Sequence, residues 1–153
     1  MEINFFYQTK LPPYYKKTKL YKSAVSFALG KQKNKFEVVN IIIVSPSEIL
    51  RINKEFLGHN YVTDVITFEN PSPVNNKIYA DIFVCFKQVK TQALDLGKHC
   101  RKEFLTVIIH GILHLIGYDD DTLKKRNEMN TVAENIAQKF LKKKFLTKNY
   151  RKF

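Results

Sequence analysis

The sequence predicts an α+β fold (mixed α/β): a single domain with a roughly four-stranded mixed sheet and about five helices. Three observations carry this. Apolar runs of strand length, rich in β-branched or aromatic residues, recur at residues 2–7, 36–44, 62–68 and 78–86, bounded by turn-forming residues. Between the first three of them, apolar residues repeat at helical spacing. From Lys87 onward the pattern is helical throughout. A chain of 153 residues suits one domain with a real core.

The elements follow in order. Residues 2–7 alternate weakly and stop ahead of Pro12-Pro13, a short first strand. Tyr15 to Leu29 carries Leu20, Ala24, Phe27 and Ala28 on one helical face, and Gly30 ends it. Lys31 to Lys35 is a polar connection. Phe36 to Val44 reads as a central, largely buried strand. Ser45-Pro46-Ser47-Glu48 is a strong helix start, with a cap and a proline in the first turn, and the helix should reach about Phe56. Val62–Phe68 and Ile78–Phe86 are expected as a hairpin around the turn-rich segment Asn70–Asn76. The strand–helix–strand step into the third strand predicts a parallel pair with a right-handed crossover. Helices are then expected at about 87–97, 102–116 and 122–145. Leu105, Ile108, Ile109, Ile112 and Ile116 should fill the core, and Met129, Val132, Ala133, Ile136, Ala137 and Phe140 should form the last helix's apolar stripe. Residues 142–153 are expected as a basic, flexible C-terminal tail.

Charge and cysteine content narrow the class. There are 26 Lys and Arg against 14 Asp and Glu, a net charge of +12, with a pI of about 9.7. Such an excess favours a polyanionic partner through attraction to phosphates and release of counterions. Cys85 and Cys100 are too few for a disulfide framework. The longest apolar run, near Ile41–Val44, is far below the roughly 20 residues that span a bilayer. The first residues lack a basic region followed by a long apolar core, so no signal peptide is expected. The expectation is a cytoplasmic protein in a reducing compartment, with no membrane partner.

The chemistry concentrates at His110-Gly111-Ile112-Leu113-His114 and the following Leu115-Ile116-Gly117-Tyr118-Asp119-Asp120. Residues four apart on a helix share a face, so the two imidazoles can converge. A single histidine on an apolar helix is ordinarily a core residue hydrogen-bonded nearby. Two at this spacing are harder to dismiss, because a buried polar group without a partner costs roughly 1–3 kcal/mol. Gly117 can end the helix, letting Asp119, Asp120 or Asp121 return to the same point. Two imidazoles and a carboxylate hold zinc while leaving a fourth position open, the catalytic rather than the structural pattern. The spacing is that of the zinc-protease motif H-E-x-x-H, but Gly111 stands where that motif needs its general-base glutamate.

H-G-x-L-H-L-x-G-Y-D followed by a ligand resembles the signature of the YbeY family, bacterial endoribonucleases of ribosomal RNA maturation. The family carries H-x3-H-x5-H; here the positions are His110, His114 and Asp120. Asn53-Lys54-Glu55-Phe56, Thr63-Asp64-Val65-Ile66-Thr67-Phe68 and Ala80-Asp81-Ile82-Phe83 are similar to further family stretches, so the resemblance spans roughly residues 36 to 140. One departure is Leu57, where the family often has an arginine implicated in catalysis. The resemblance implies a single-strand-specific, zinc-dependent endoribonuclease of ribosomal RNA maturation, including 16S rRNA 3′ end processing and ribosome quality control. It implies one Zn2+ per chain, held by His110, His114 and Asp120, and partners in single-stranded RNA, ribosomal RNA and a ribosomal subunit. Alternatives are a metallohydrolase of another substrate, such as a peptidase, or a non-catalytic ribosome-associated RNA-binding protein with a structural zinc.

Other candidates are secondary. His59, in the polar loop before the third strand, can hold a phosphate or move a proton if that loop borders the metal. Lys54, Lys98 and Arg101 are candidates for the RNA backbone. Asp64 and Asp81 can orient a histidine, although capping or strand-end hydrogen bonding is the plainer role. His99-Cys100 reads as a helix boundary with a buried thiol, and Asp121, where it is not the third ligand, as a cap of the last helix.

Overall fold

The computed structural model describes residues 1–150, with side chains described as far as Lys142. Four strands and five helices follow in the order β1 (Glu2–Tyr7), α1 (Thr18–Leu29), β2 (Phe36–Ile43), α2 (Pro46–Leu57), β3 (Val65–Pro71), β4 (Ile78–Val84), α3 (Phe86–Asp95), α4 (Cys100–Leu115) and α5 (Leu123–Tyr150). The polar connection after α1 is a short 3-10 helix over Gly30–Lys35. Most of the basic tail expected over residues 142–153 lies outside the described side chains. No helix among the described residues is long and apolar enough to cross a membrane.

The sheet is mixed, in the order β1-β2-β4-β3. β1 and β4 both pair with β2 in parallel, and β3 pairs with β4 antiparallel. The expected hairpin is therefore present. The expected parallel pairing of β2 with β3 is not: β4 lies between them, and β3 runs opposite to β2. The loop explains the difference. Val44 N–H donates to Val84 O, and Cys85 N–H donates to Asp64 O. The residue before β3 thus sits at the end of the sheet where β2 finishes. A helix of 12 residues, about 18 Å long, carries the chain away, and the seven residues 58–64 are enough to bring it back.

Two further boundaries differ from expectation. α1 begins at Thr18 rather than Tyr15, because Pro12 and Pro13 first set a turn in which Tyr15 N–H bonds Pro12 O and Lys16 N–H bonds Pro13 O. β3 is shifted by three residues: pairing starts at Val65↔Val84 and continues to Pro71↔Ile78. Pro71 is tolerated there because it ends an edge strand.

Strand alternation splits the apolar residues between two faces. Val39, Ile41 and Ile43 of β2, with Ala80, Ile82 and Val84 of β4, meet α1, α3, α4 and α5 in the main core. Ile42, Val44 and Ile66 face the other way, onto Ile49 and Ile52 of α2. The two-sided burial explains why β2 reads as a continuous apolar run rather than an alternating one. α4 is central: Phe104 through Ile109 are all fully or almost fully buried, and Phe104 packs edge-on to Tyr21 and Phe86. α5 covers α4 with Met129, Ala133 and Ala137.

Candidate metal centre and its cleft

α4 approaches the sheet closely at Gly111, between the two histidines. A Cβ at Gly111 would stand 2.8 Å from Ile82 Cγ2 and 3.3 Å from both Thr67 Oγ1 and Val65 Cγ2. Ile82 and Thr67 are paired neighbours across β4 and β3, so the helix rests on both strands. The glycine at this point has a packing cause, and the same packing leaves no room for a glutamate.

His110 and His114 lie one helical turn apart, on either side of that contact. His110 is wedged under α5, and its Nε2 is fully buried without a hydrogen-bond partner among the described residues. Burial pushes its imidazole below the ordinary value of 6.5, and His114 adds to this; Asp64, Asn130 and Glu134 act in the opposite sense. His114 is more open, with 37% of its side chain exposed. Beyond it the helix closes with Gly117 N–H on His114 O and Tyr118 N–H on Leu113 O. Gly117 has φ of +100°, a conformation that favours glycine.

The turn then presents three consecutive aspartates, of which Asp119 and Asp121 both lie within reach of Lys125 while Asp120 faces His114. Asp119 Oδ1 accepts the Asp120 N–H at 2.8 Å. Asp121 pairs with Lys125 Nζ at 3.1 Å. Asp120 Oδ2 stands 3.8 Å from His114 Nε2. The cap of α5 is Thr122, whose hydroxyl accepts the Lys125 N–H, so the expected capping by Asp121 is replaced by an ion pair one turn along.

These residues suit a divalent metal. Tetrahedral zinc with bonds of about 2.1 Å puts neighbouring ligand atoms about 3.4 Å apart, close to the His114–Asp120 separation. An orphaned imidazole nitrogen at His110 is what a buried metal ligand leaves when the ion is taken away. Among the described residues, no three His, Cys, Asp or Glu side chains are already drawn together as a complete ligand set.

His114 and Asp120 open onto a cleft of about 650 Å³. Its other walls come from the end of α2 (Asn53, Leu57), the following loop (His59, Tyr61, Thr63) and β3 (Val65, Thr67, Glu69). His59 therefore borders the same cleft as the candidate ligands, its Nδ1 3.2 Å from the Tyr61 hydroxyl. Leu57 faces the cleft too. Lys54 is exposed on α2 and forms no ion pair among the described residues. Lys98 and Arg101 lie elsewhere. Lys98 is 3.9 Å from both Glu103 and Glu134, and Arg101 stacks on Tyr14 with its Nε and one terminal nitrogen buried. Asp64 acts on His110 as noted, whereas Asp81 accepts from Asn40 at 2.8 Å on the α2 side of the sheet. His99 and Cys100 form the start of α4, as expected, with Cys100 only partly buried. The sequence reading did not single out Tyr61, Thr67 or Glu69. Strand alternation gives Val65, Thr67 and Glu69 one common face, a signal available once β3 is placed at 65–71.

A family model described as endoribonuclease YbeY matches residues 7–141. The chain belongs to the endoribonuclease YbeY family. Relatives named endoribonuclease YbeY include one from Elusimicrobium minutum, 46% identical over 142 residues that cover 91% of this chain and 99% of the relative. Another, from Karelsulcia muelleri, is 38% identical over 147 residues, covering 94% and 99%. A solution structure of a Thermotoga maritima protein aligns with a TM-score of 0.62 at 28% identity, over 94% of this chain and 93% of that one. YbeY membership thus covers both walls of the cleft, from α2 to α5.

Proposed function

We propose that this YbeY-family chain is a zinc-dependent endoribonuclease that cuts single-stranded RNA in the cytoplasm during ribosomal RNA maturation, including the 3′ end of 16S rRNA, and in ribosome quality control. The observation that carries the reading is the approach of His114 to Asp120 at 3.8 Å at the edge of an open cleft. The net charge of +12 supports a polyanionic substrate such as ribosomal RNA on its subunit.

His110, His114 and Asp120 would hold the ion. When bound, zinc supplies Lewis acidity toward water and toward a phosphoryl oxygen. His110 is suited to ligation because burial keeps its ring neutral and its Nε2 has no other partner. His59 engages Tyr61 through Nδ1, which leaves Nε2 to meet a phosphate oxygen. Of Lys54, Lys98 and Arg101, Lys54 is the candidate for the RNA backbone that is exposed and in no ion pair among the described residues; Lys98 and Arg101 would first have to leave Glu103, Glu134 and Tyr14. A peptidase reading is disfavoured by Gly111, where the sheet excludes a glutamate. Leu57 favours one rival, an RNA-binding protein with a structural zinc, since the cleft lacks the arginine expected there.

The test is cleavage of a fluorescent single-stranded RNA by the wild type and by His114→Ala prepared in parallel, with a duplex of the same sequence as control. Cleavage of the single strand by the wild type alone supports the reading. Equal cleavage by both proteins, or RNA bound but cut by neither, sinks it.

A further inference from the structure

Two rings at the mouth of the cleft have no part in holding the metal. His59 and Tyr61 lie with their centroids 5.4 Å apart and their planes within 13°. Tyr61 nevertheless keeps 56% of its surface exposed. It stacks on His59 and lines the cleft together with it.

The pair is held there by a buried polar residue. Asn53, on the last turns of α2, is 1% exposed. Its carbonyl accepts the His59 N–H at 3.1 Å, and its side-chain Nδ2 donates to the Tyr61 carbonyl at 3.0 Å. One side chain and its own backbone thus grip the loop on both sides of Asn60. Burying an amide is unfavourable unless it is hydrogen-bonded, and here its hydrogen bond fixes where two exposed rings stand. A loop ordered in advance removes ordering entropy from the binding step.

An unpaired nucleobase is the natural third ring. Bases in a single strand have free faces that stack on aromatic side chains, whereas bases in a duplex are already stacked on their neighbours. His114 and Asp120 line the same cleft as both rings, so a base stacked on Tyr61 brings an adjoining phosphate toward the candidate ligands.

We propose that Tyr61, backed by His59 and clamped by Asn53, is a stacking platform for one unpaired base of the RNA, and is a positioning residue that favours single strands over duplex. The proposal rests on the ribonuclease reading of the cleft. It is tested with a short, cleavage-resistant 2′-O-methyl oligoribonucleotide carrying a fluorescent adenine analogue whose emission falls on stacking. Wild type, Tyr61→Phe and Tyr61→Leu are titrated with it, and with the same strand annealed to its complement. The expected result is quenching by wild type and Tyr61→Phe, no quenching by Tyr61→Leu, and a Kd raised roughly tenfold in Tyr61→Leu. Unchanged quenching and Kd in Tyr61→Leu overturn the platform while leaving the nuclease reading standing. Equal losses in Tyr61→Phe and Tyr61→Leu also overturn it, because the hydroxyl rather than the ring would then be the contact. A wild type that binds the duplex as well as the single strand overturns the platform's part in strand choice and leaves the nuclease reading to its own cleavage test.

Discussion

Gly111 lies against Ile82 so closely that even a methyl group at position 111 would fall 2.8 Å from the Ile82 Cγ2. Alanine is the better helix former by up to about 1 kcal/mol. Overpacking a tight core usually costs about 1–3 kcal/mol, and Ile82 is fully buried with little room to move. The steric effect should win. Gly111→Ala is expected to lower stability by about 1 kcal/mol, read from the urea midpoint at unchanged slope. A stabilised variant would mean that α4 can lift from the sheet at no penalty.

Leu57 lines the cleft, and the resemblance to the family implies an arginine at this position. Its side chain is 47% exposed, so a longer, charged replacement can be accommodated. Leu57→Arg is expected to raise kcat on single-stranded RNA at least tenfold, given that single preorganised donors are commonly worth about 10²–10³ in rate. Steady-state kinetics decide it. An unchanged kcat would show that the cation needed for catalysis already comes from another part of the molecule.

The three aspartates should respond differently to substitution. Asp120→Ala is expected to weaken zinc binding by more than the roughly 10–100-fold typical of groups that only orient ligands. Asp119→Ala and Asp121→Ala should fall within that range or below it, and Asp120→His should keep zinc. Competition against a chromophoric chelator measures all four. Weaker binding by Asp121→Ala than by Asp120→Ala would reassign the third ligand.

His110 makes the metal-free chain sensitive to acid. Its folded-state value lies below the ordinary 6.5, chiefly through burial. The unfolded chain therefore binds the proton more readily. The stability contributed by the neutral ring is complete above about pH 6.5 and is lost as the pH falls below that value. With chelator present, the urea midpoint should drop between pH 7.5 and pH 5.5, and the drop should be smaller in His110→Gln. Equal drops in both proteins would assign the sensitivity to other groups.

Much of the architecture was legible because its signals are local. Helical spacing marked Leu105, Ile108, Ile109 and Ile112, all now buried in α4, and Ser45-Pro46 announced α2, where the Ser45 hydroxyl does accept the Glu48 N–H. Strand partnership was less legible. Nothing near β2 indicates that β4 will insert between it and β3, since that choice is made by contacts some forty residues apart, such as Ile41 with Ile82. At the site, the histidine spacing was readable in one helix. The separation of Asp120 from Asp119 and Asp121 depends on Lys125 and on the turn after Gly117. Tyr61 was missed for the same reason: its role in the cleft depends on Asn53, eight residues earlier and on another element.

The cleft has walls on α2, β3, α4 and the turn beyond α4, and it is the docking of Gly111 onto Ile82 that sets them opposite one another. No single element contains it. A compact acid state that retained its helices but released α4 from the sheet would preserve the far-ultraviolet dichroism and lose the cleft altogether. Ribonuclease activity in this chain is therefore a readout of tertiary docking, and on acidification it should vanish ahead of the helical signal.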